Sequence, residues 1–104
     1  QAISKNNKVK FKEGMIVSNE PGYYENGNFG IRIENLIRVK KNKKGYSFDN
    51  LTMAPIDKTM INKSILKKNE INWINSYHKN VFKNLKKFMN KSELIDLNLS
   101  CSQI

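Results

Sequence analysis

Two glutamates end apolar runs at positions where a connecting loop could bring their carboxylates together. Glu20 ends the β-branched run at 15–20, and Glu34 ends the run at 30–34. The residues between them are enough to fold the two carboxylates side by side. Carboxylate oxygens are the ligands that hard divalent cations such as Mn²⁺ prefer. The pair therefore predicts half of a carboxylate cage for two metal ions, which is typical of a metallohydrolase.

An arginine accompanies the second glutamate. Arg32 precedes Glu34 by two residues, so strand alternation predicts both side chains on one face and Ile31 and Ile33 on the other. A guanidinium placed there can orient a carboxylate or a substrate by forked hydrogen bonds. A two-metal site bridged by carboxylates can activate a water for attack on a peptide carbonyl. Composition alone would make Glu20 and Glu34 two surface carboxylates that balance lysines. Their position at the ends of strand-like runs favours the metal site instead.

Strand patterns come first along the chain and helical spacing follows. Alternation and turn residues predict strands at 15–20 and 29–39, joined by a long loop at 23–28 in which Asn26-Gly27 takes positive φ, and further strand pieces at 45–48 and 50–54. Apolar spacing then predicts a helix from an Asn69 cap to about Asn90, and Ser92 is the predicted cap of a last helix with Glu93 in its first turn.

Composition limits the class of protein. The 104 residues allow a modest core, and no apolar run has transmembrane length, so no membrane partner is expected. The single cysteine, Cys101, excludes a disulfide framework, and cytoplasm is the expected location. A net charge of +10 is typical of proteins that bind nucleic acids. That partner is disfavoured because the excess is nearly all lysine, and Arg32 and Arg38 are the arginines that would read bases or phosphates.

The glutamate segments, Glu20-Pro21-Gly22-Tyr23-Tyr24 and Gly30-Ile31-Arg32-Ile33-Glu34-Asn35, resemble the C-terminal signatures of Xaa-Pro aminopeptidases (aminopeptidase P). These enzymes belong to the pita-bread metallopeptidases. The resemblance continues through residues 51–57 and 73–78 and covers roughly residues 1–90. It implies an α+β fold, the C-terminal part of a pita-bread domain, with antiparallel strands followed by a helical tail. Residues 1–57 would complete the catalytic domain, and residues 58–104 would form the helical extension.

The resemblance also implies roles for the three charged residues. Glu20 and Glu34 match two of the family's five metal ligands, with Glu34 bridging both metals, and Arg32 matches the arginine that supports the bridge. The metals would be two divalent ions, most often Mn²⁺, with Co²⁺ or Zn²⁺ as alternatives. The substrate would be a peptide with proline at its second position. The family's two aspartate ligands, its histidine ligand and its substrate-binding histidines lie upstream of these motifs.

The first residues match a further family pattern. In the family, a His-Glu-Gly-Pro stretch often leads into Gln-X-Ile-Ser, and this chain opens Gln1-Ala2-Ile3-Ser4. The sequence is therefore expected to be the C-terminal piece of a longer enzyme, inactive in isolation and partnered by the upstream catalytic portion. Two alternatives remain open. One is a non-catalytic remnant or a dimerisation module that pairs through the helical tail, and the other is a basic nucleic-acid-binding domain.

The remaining candidates favour structural roles. His78 lies at helical spacing from Ile74 and Val81, which favours a packed or hydrogen-bonded histidine over a metal ligand. Trp73 and Tyr77, one turn apart, are predicted core or interface anchors. Tyr23 and Tyr24 could line a pocket or pack a loop, and both roles stay open. Cys101, without a nearby base in sequence, is predicted to be an inert thiol.

Overall fold

A computed structural model describes residues 7–104, so the predicted opening motif at residues 1–4 lies outside the described residues. The chain divides into two compact units, Gln1–Thr52 and Met53–Ile104. Strands occupy the first unit and helices the second, which agrees with the predicted order of elements. Within residues 7–104, no helix combines the length and apolarity needed to cross a membrane.

The N-terminal unit is built from antiparallel strands. In chain order they are β1 (Ile16–Asn19), β2 (Gly22–Glu25), β3 (Phe29–Arg32), β4 (Asn35–Asn42) and β5 (Gly45–Asn50). One sheet has the order β1-β4-β5, and the other pairs β2 with β3. The predicted strand at 45–48 is thus confirmed, but the one at 50–54 is wrong beyond Asn50, because residues 51–54 make no sheet ladder.

The predicted loop at 23–28 is also wrong in its first half. Tyr23 and Tyr24 lie in β2, and the connection to β3 is a tight turn at residues 26–28. Gly27 alone of the predicted Asn26-Gly27 pair takes positive φ, at 73°. Since glycine has no Cβ, it adopts this conformation without a steric penalty. The paired strands of the hairpin are therefore longer, and its connection shorter, than the sequence pattern indicated.

The apolar face of this hairpin is buried at one end and exposed at the other. Val17 and Val39 are 6% and 1% exposed, and Phe11 packs edge-on against Phe48, which pairs with Val39. Toward the turn, large apolar side chains remain open to solvent; they are Tyr23, Phe29, Ile31 and Ile33. An exposed apolar strip of this kind marks a contact surface in most proteins.

The C-terminal unit contains α1 (Lys68–Leu85) and α2 (Lys91–Ser100). Both helices begin about two residues from the predicted caps. At α1 the Glu70 carboxylate accepts a hydrogen bond from the Lys67 backbone N–H at 2.7 Å. At α2 Asn90 and Glu93 form a reciprocal capping box, with bonds of 3.0 and 2.8 Å. Glu93 therefore lies in the first turn as predicted, but Asn90 rather than Ser92 is the cap.

The core of this unit lies between the two helices and the extended segment that precedes them. Tyr77, Val81 and Leu97 are its buried members, and they are covered by partly buried side chains; these are Met53, Ile56, Phe82, Leu85, Met89 and Cys101. The residues 53–58, here called the anchor segment, run along the helices and contribute Met53 and Ile56 to this core.

Two leucines of α2 test how much this core stabilises the unit. Leu97 is 8% exposed and Leu99 is 63% exposed. We expect Leu97→Ala to lower the free energy of unfolding by about 3 kcal/mol, because it removes buried methyl groups and leaves a cavity. The matched change Leu99→Ala should cost less than about 0.5 kcal/mol. Urea unfolding followed by the fluorescence of Trp73, the single tryptophan, measures both; equal costs would contradict the assigned core.

Candidate functional site

The strands β1 and β2 form one arm of a long hairpin, and β3 and β4 form the other. The candidate site lies where the strand pairing between the two arms is interrupted. Asn19 pairs with Asn35 on one side of the interruption, and Gly22 pairs with Arg32 on the other. The register is the same on both sides, so residues 20 and 21 stand opposite residues 34 and 33. The Ile33 N–H donates to the Pro21 carbonyl at 3.2 Å, which continues the pairing through the gap. Glu20 and Glu34 are therefore cross-strand neighbours.

A single guanidinium joins the two glutamates. Arg32 Nη1 lies 3.4 Å from Glu20 Oε2, and Arg32 Nη2 lies 3.1 Å from Glu34 Oε2. The structure thus brings together all three charged residues that the sequence singled out, on the face that alternation predicted. Their side chains are 43–47% exposed. Exposed ion pairs of this kind stabilise a fold only slightly, so stability does not account for the arrangement.

Two further residues of the same face join this network, and sequence reasoning gave neither of them this role. The Ser18 hydroxyl donates to Glu20 Oε1 at 2.5 Å. The Tyr24 hydroxyl accepts a hydrogen bond from the Arg32 side chain. The signal that could have found them is the alternation of residues 18, 20, 22 and 24, which places all four side-chain positions on one face of the hairpin.

Two glycines make room for Tyr24. A Cβ at Gly30 would lie 2.6 Å from Tyr24 Cδ1, and one at Gly22 would lie 2.7 Å from the Tyr24 hydroxyl oxygen. Both distances are shorter than van der Waals contact, so a side chain at either position would displace the ring. Because Gly22 pairs with Arg32, the ring that crosses Gly22 delivers its hydroxyl to the guanidinium.

The charge state of the site follows from these contacts. The hydrogen bond to Tyr24, followed by the negative charge of Glu34 and then that of Glu20, raises the pKa of Arg32 above its ordinary value. The guanidinium therefore stays protonated, and it offers separate N–H groups to two carboxylates. A planar fork does this better than a lysine ammonium, which is a single point charge.

The donor set fits half of a site for hard cations. Glu20 and Glu34 supply carboxylate oxygens on adjacent strands, which suits Mn²⁺ and similar ions. Within residues 7–104, no group of three or more His, Cys, Asp or Glu side chains is placed to hold a metal ion. A stable site would therefore need ligands in addition to the two glutamates.

The other candidates from the sequence lie in the C-terminal unit, where they have packing roles. His78 is fully buried and its Nε2 accepts a hydrogen bond from the Ile56 N–H at 3.1 Å, which confirms the packed, hydrogen-bonded prediction. Tyr77 is a core residue, whereas Trp73 stacks on it with ring centroids 5.5 Å apart and stays 54% exposed. Burial raises the pKa of the half-buried Cys101 thiol, in agreement with an inert cysteine.

Comparison with known proteins identifies the class to which this fold and this pair of carboxylates belong. Residues 1–41 match the model of metallopeptidase family M24, and residues 44–103 match the model of the C-terminal region of peptidase M24. The chain belongs to the peptidase M24 family. Its similar relatives are Xaa-Pro aminopeptidases, as the resemblance of the glutamate motifs implied.

The relatives are much longer than this chain. The probable Xaa-Pro aminopeptidase P of Tuber melanosporum is 45% identical over 94 residues, which are 83% of this chain and 15% of the relative. Xaa-Pro aminopeptidase 1 of Dictyostelium discoideum is 47% identical over 81 residues, 72% of this chain and 13% of the relative. The chain thus spans about one seventh of the length of these relatives.

A solved structure agrees with the fold. The X-prolyl aminopeptidase of Caenorhabditis elegans, described as a cytosolic enzyme with a di-nuclear active site, superimposes with a TM-score of 0.81 and 31% sequence identity. The match covers 97% of this chain and 18% of that enzyme. The predicted fold class, antiparallel strands of a pita-bread domain followed by a helical tail, is confirmed.

Proposed function

We propose that this chain is the C-terminal portion of a metal-dependent aminopeptidase and that Glu20 and Glu34 are two carboxylate ligands of its dinuclear metal site. The observation that carries the proposal is the contact of one guanidinium with both glutamates, 3.4 and 3.1 Å away, at facing positions of one hairpin. Two carboxylates held together would repel each other without a cation, and Arg32 supplies one that keeps both of them at facing positions.

Each residue of the site has a distinct task in this proposal. Glu20 and Glu34 hold the metals, and Arg32 contacts both carboxylates and fixes where they point. Tyr24 accepts a hydrogen bond from the guanidinium, and Ser18 donates to the Glu20 oxygen that Arg32 does not contact. When bound, two divalent metals supply the Lewis acidity that activates a water and polarises a peptide carbonyl.

The activity is inferred from the relatives, which are named Xaa-Pro aminopeptidases. The whole protein would release an N-terminal residue that precedes proline, and its substrate would be a peptide with proline at the second position. Mn²⁺ fits the oxygen donors best, with Co²⁺ and Zn²⁺ as alternatives. The missing ligands would come from the upstream catalytic portion of the same protein, and the proposed location is the cytoplasm.

The two parts of the chain have different proposed roles. Residues 1–57 would complete the catalytic domain and residues 58–104 would form a helical extension. The exposed apolar side chains of the helical tail, among them Trp73 and Ile95, support a contact between two copies. Self-association through this tail is therefore part of the proposal.

Metal titration tests the proposal directly. Because two carboxylates lack the charge and preorganisation of a complete site, we expect the 104-residue chain to bind Mn²⁺ more weakly than about 10⁻⁴ M and to show no peptidase activity. The full-length protein should bind two equivalents much more tightly. Isothermal titration calorimetry of both proteins measures this difference. Tight binding by the short chain, or no binding by the full-length protein, would contradict the assignment.

A further inference from the structure

Polar contacts fasten the anchor segment, residues 53–58, to the helices of the C-terminal unit. The Tyr77 hydroxyl donates to the Ala54 carbonyl at 2.7 Å, and the Ile56 N–H donates to His78 Nε2 at 3.1 Å. Lys58 Nζ donates to the carbonyls of Leu99 and Ser102 at 2.8 and 3.0 Å. The middle contact differs from the others because its acceptor can be protonated near neutral pH.

The hydrogen bond to Ile56 fixes the state of the imidazole. His78 is 0% exposed, and a nitrogen that accepts from an N–H carries no proton. The neutral ring therefore has its proton on Nδ1, which makes no hydrogen bond within residues 7–104. Protonation of Nε2 would put two donors face to face and leave the Ile56 N–H without its acceptor.

The surroundings of His78 disfavour a second positive charge. The titratable groups near it are the Lys58 ammonium from the anchor segment and the Tyr77 phenol from α1. The Cys101 thiol that follows α2 interacts with the same Lys58. Burial, and then the charge of Lys58, lower the pKa of His78 below its ordinary value of 6.5, while the nearby Ser102 backbone partly opposes this. A protonated ring would be a buried cation beside another cation.

We propose that His78 is an acid-sensitive latch, which releases the anchor segment from α1 when Nε2 takes up a proton. In the closed form the imidazole is buried and does not take up a proton. In the open form the imidazole is exposed to water and takes up a proton. Acid therefore shifts the equilibrium toward the open form. The released segment is the one that directly follows the strands of the N-terminal unit along the chain.

The sign of the pH dependence follows from linkage. Because the pKa of His78 is lower in the closed form than in the open form, the latch is fully stable above about pH 6.5 and weakens as the pH falls toward the lower, closed-form pKa. One proton changes the opening equilibrium by at most about tenfold per pH unit. Carboxylates titrate near pH 4, so the range from pH 6.5 to 5 separates histidine titration from carboxylate titration.

Hydrogen exchange of the Ile56 amide in the full-length protein tests the latch. The rate, corrected for the intrinsic effect of pH on exchange, should rise several-fold between pH 6.5 and 5. Backbone amides in the middle of α1 should keep their protection. His78→Gln supplies a non-titrating acceptor in place of Nε2, and it should keep the bond and abolish the pH dependence.

Two results would overturn the latch, and neither depends on the variant. The first is an Ile56 protection factor that is constant from pH 7.5 to 5 in the unmodified protein. The second is a parallel loss of protection in α1, since it would mean that acid unfolds the entire C-terminal unit. If the Gln variant does not fold, the comparison of Ile56 with α1 amides in the unmodified protein still decides between these outcomes.

Discussion

Replacing Glu34 by glutamine in the full-length protein is expected to abolish most of the peptidase activity and to release at least one metal ion. Glutamine has nearly the same shape but offers a neutral amide, so it loses the negative charge that the proposed metal ligand would supply. Metal-ion catalysis contributes several kcal/mol of transition-state stabilisation. A loss of about 4 kcal/mol corresponds to roughly a 10³-fold lower kcat/KM.

The matched control for this change is Glu25→Gln. Glu25 ends β2 in the same hairpin, and its carboxylate accepts a hydrogen bond from the Asn28 amide at 3.2 Å rather than contacting Arg32. We expect this variant to keep its metal and to lose less than about twofold in activity. Metal content by mass spectrometry and hydrolysis of an Xaa-Pro peptide measure both variants. A Glu34→Gln protein that retains two metals and full activity would remove Glu34 from the site.

Replacing Arg32 by lysine is expected to have the second largest effect. The guanidinium reaches Glu20 through Nη1 and Glu34 through Nη2, and a lysine ammonium cannot hold both contacts in one plane. Residues that orient metal ligands typically account for 10–100-fold in metal affinity or activity. We therefore expect kcat/KM to fall by roughly 10–100-fold, with a weaker affinity for the metals.

Arg38→Lys is the control for the loss of a guanidinium. Arg38 lies in β4 and pairs with Asp49 across the sheet at 2.9 Å, so it also forms an exposed ion pair with a carboxylate. It has no contact with either glutamate of the candidate site in the described structure. Activity within about twofold of the unmodified protein is expected for this variant. Equal losses in both variants would show that the loss of any guanidinium, rather than the loss of the bridge between Glu20 and Glu34, accounts for the effect.

Sequence reasoning succeeded where one periodic signal decided the outcome. Alternation placed Arg32 and Glu34 on one face, and the structure has them 3.1 Å apart. Helical spacing correctly put His78 inside, because Ile74 and Val81 mark the same buried stripe. The carboxylate pair was found in the same way, from two strand ends whose side chains point to one side.

The failures arise where a specific contact overrides the preference that a short sequence pattern indicates. Pro21-Gly22 is a strong turn signal, yet here it is an interruption within a continuous hairpin, and the Tyr24 ring above Gly22 and Gly30 explains the need for glycine. Residue preference predicted Asn69 as the helix cap. In the structure, the Glu70 carboxylate in the first turn accepts a hydrogen bond from the Lys67 backbone N–H. The first arrangement requires a contact between strands that the sequence pattern does not give, whereas the second is a local contact between residues three apart.

The shared register of the two ladders limits how this part of the chain can change in length. Glu20 and Glu34 face each other because equal numbers of residues separate them from the turn at 26–28. A single insertion in β2 or β3 would rotate one carboxylate to the opposite face of the hairpin, since side chains alternate. Additional residues within the turn itself leave the pairing intact. Insertions and deletions are thus tolerable at the tip of the hairpin and excluded from its arms.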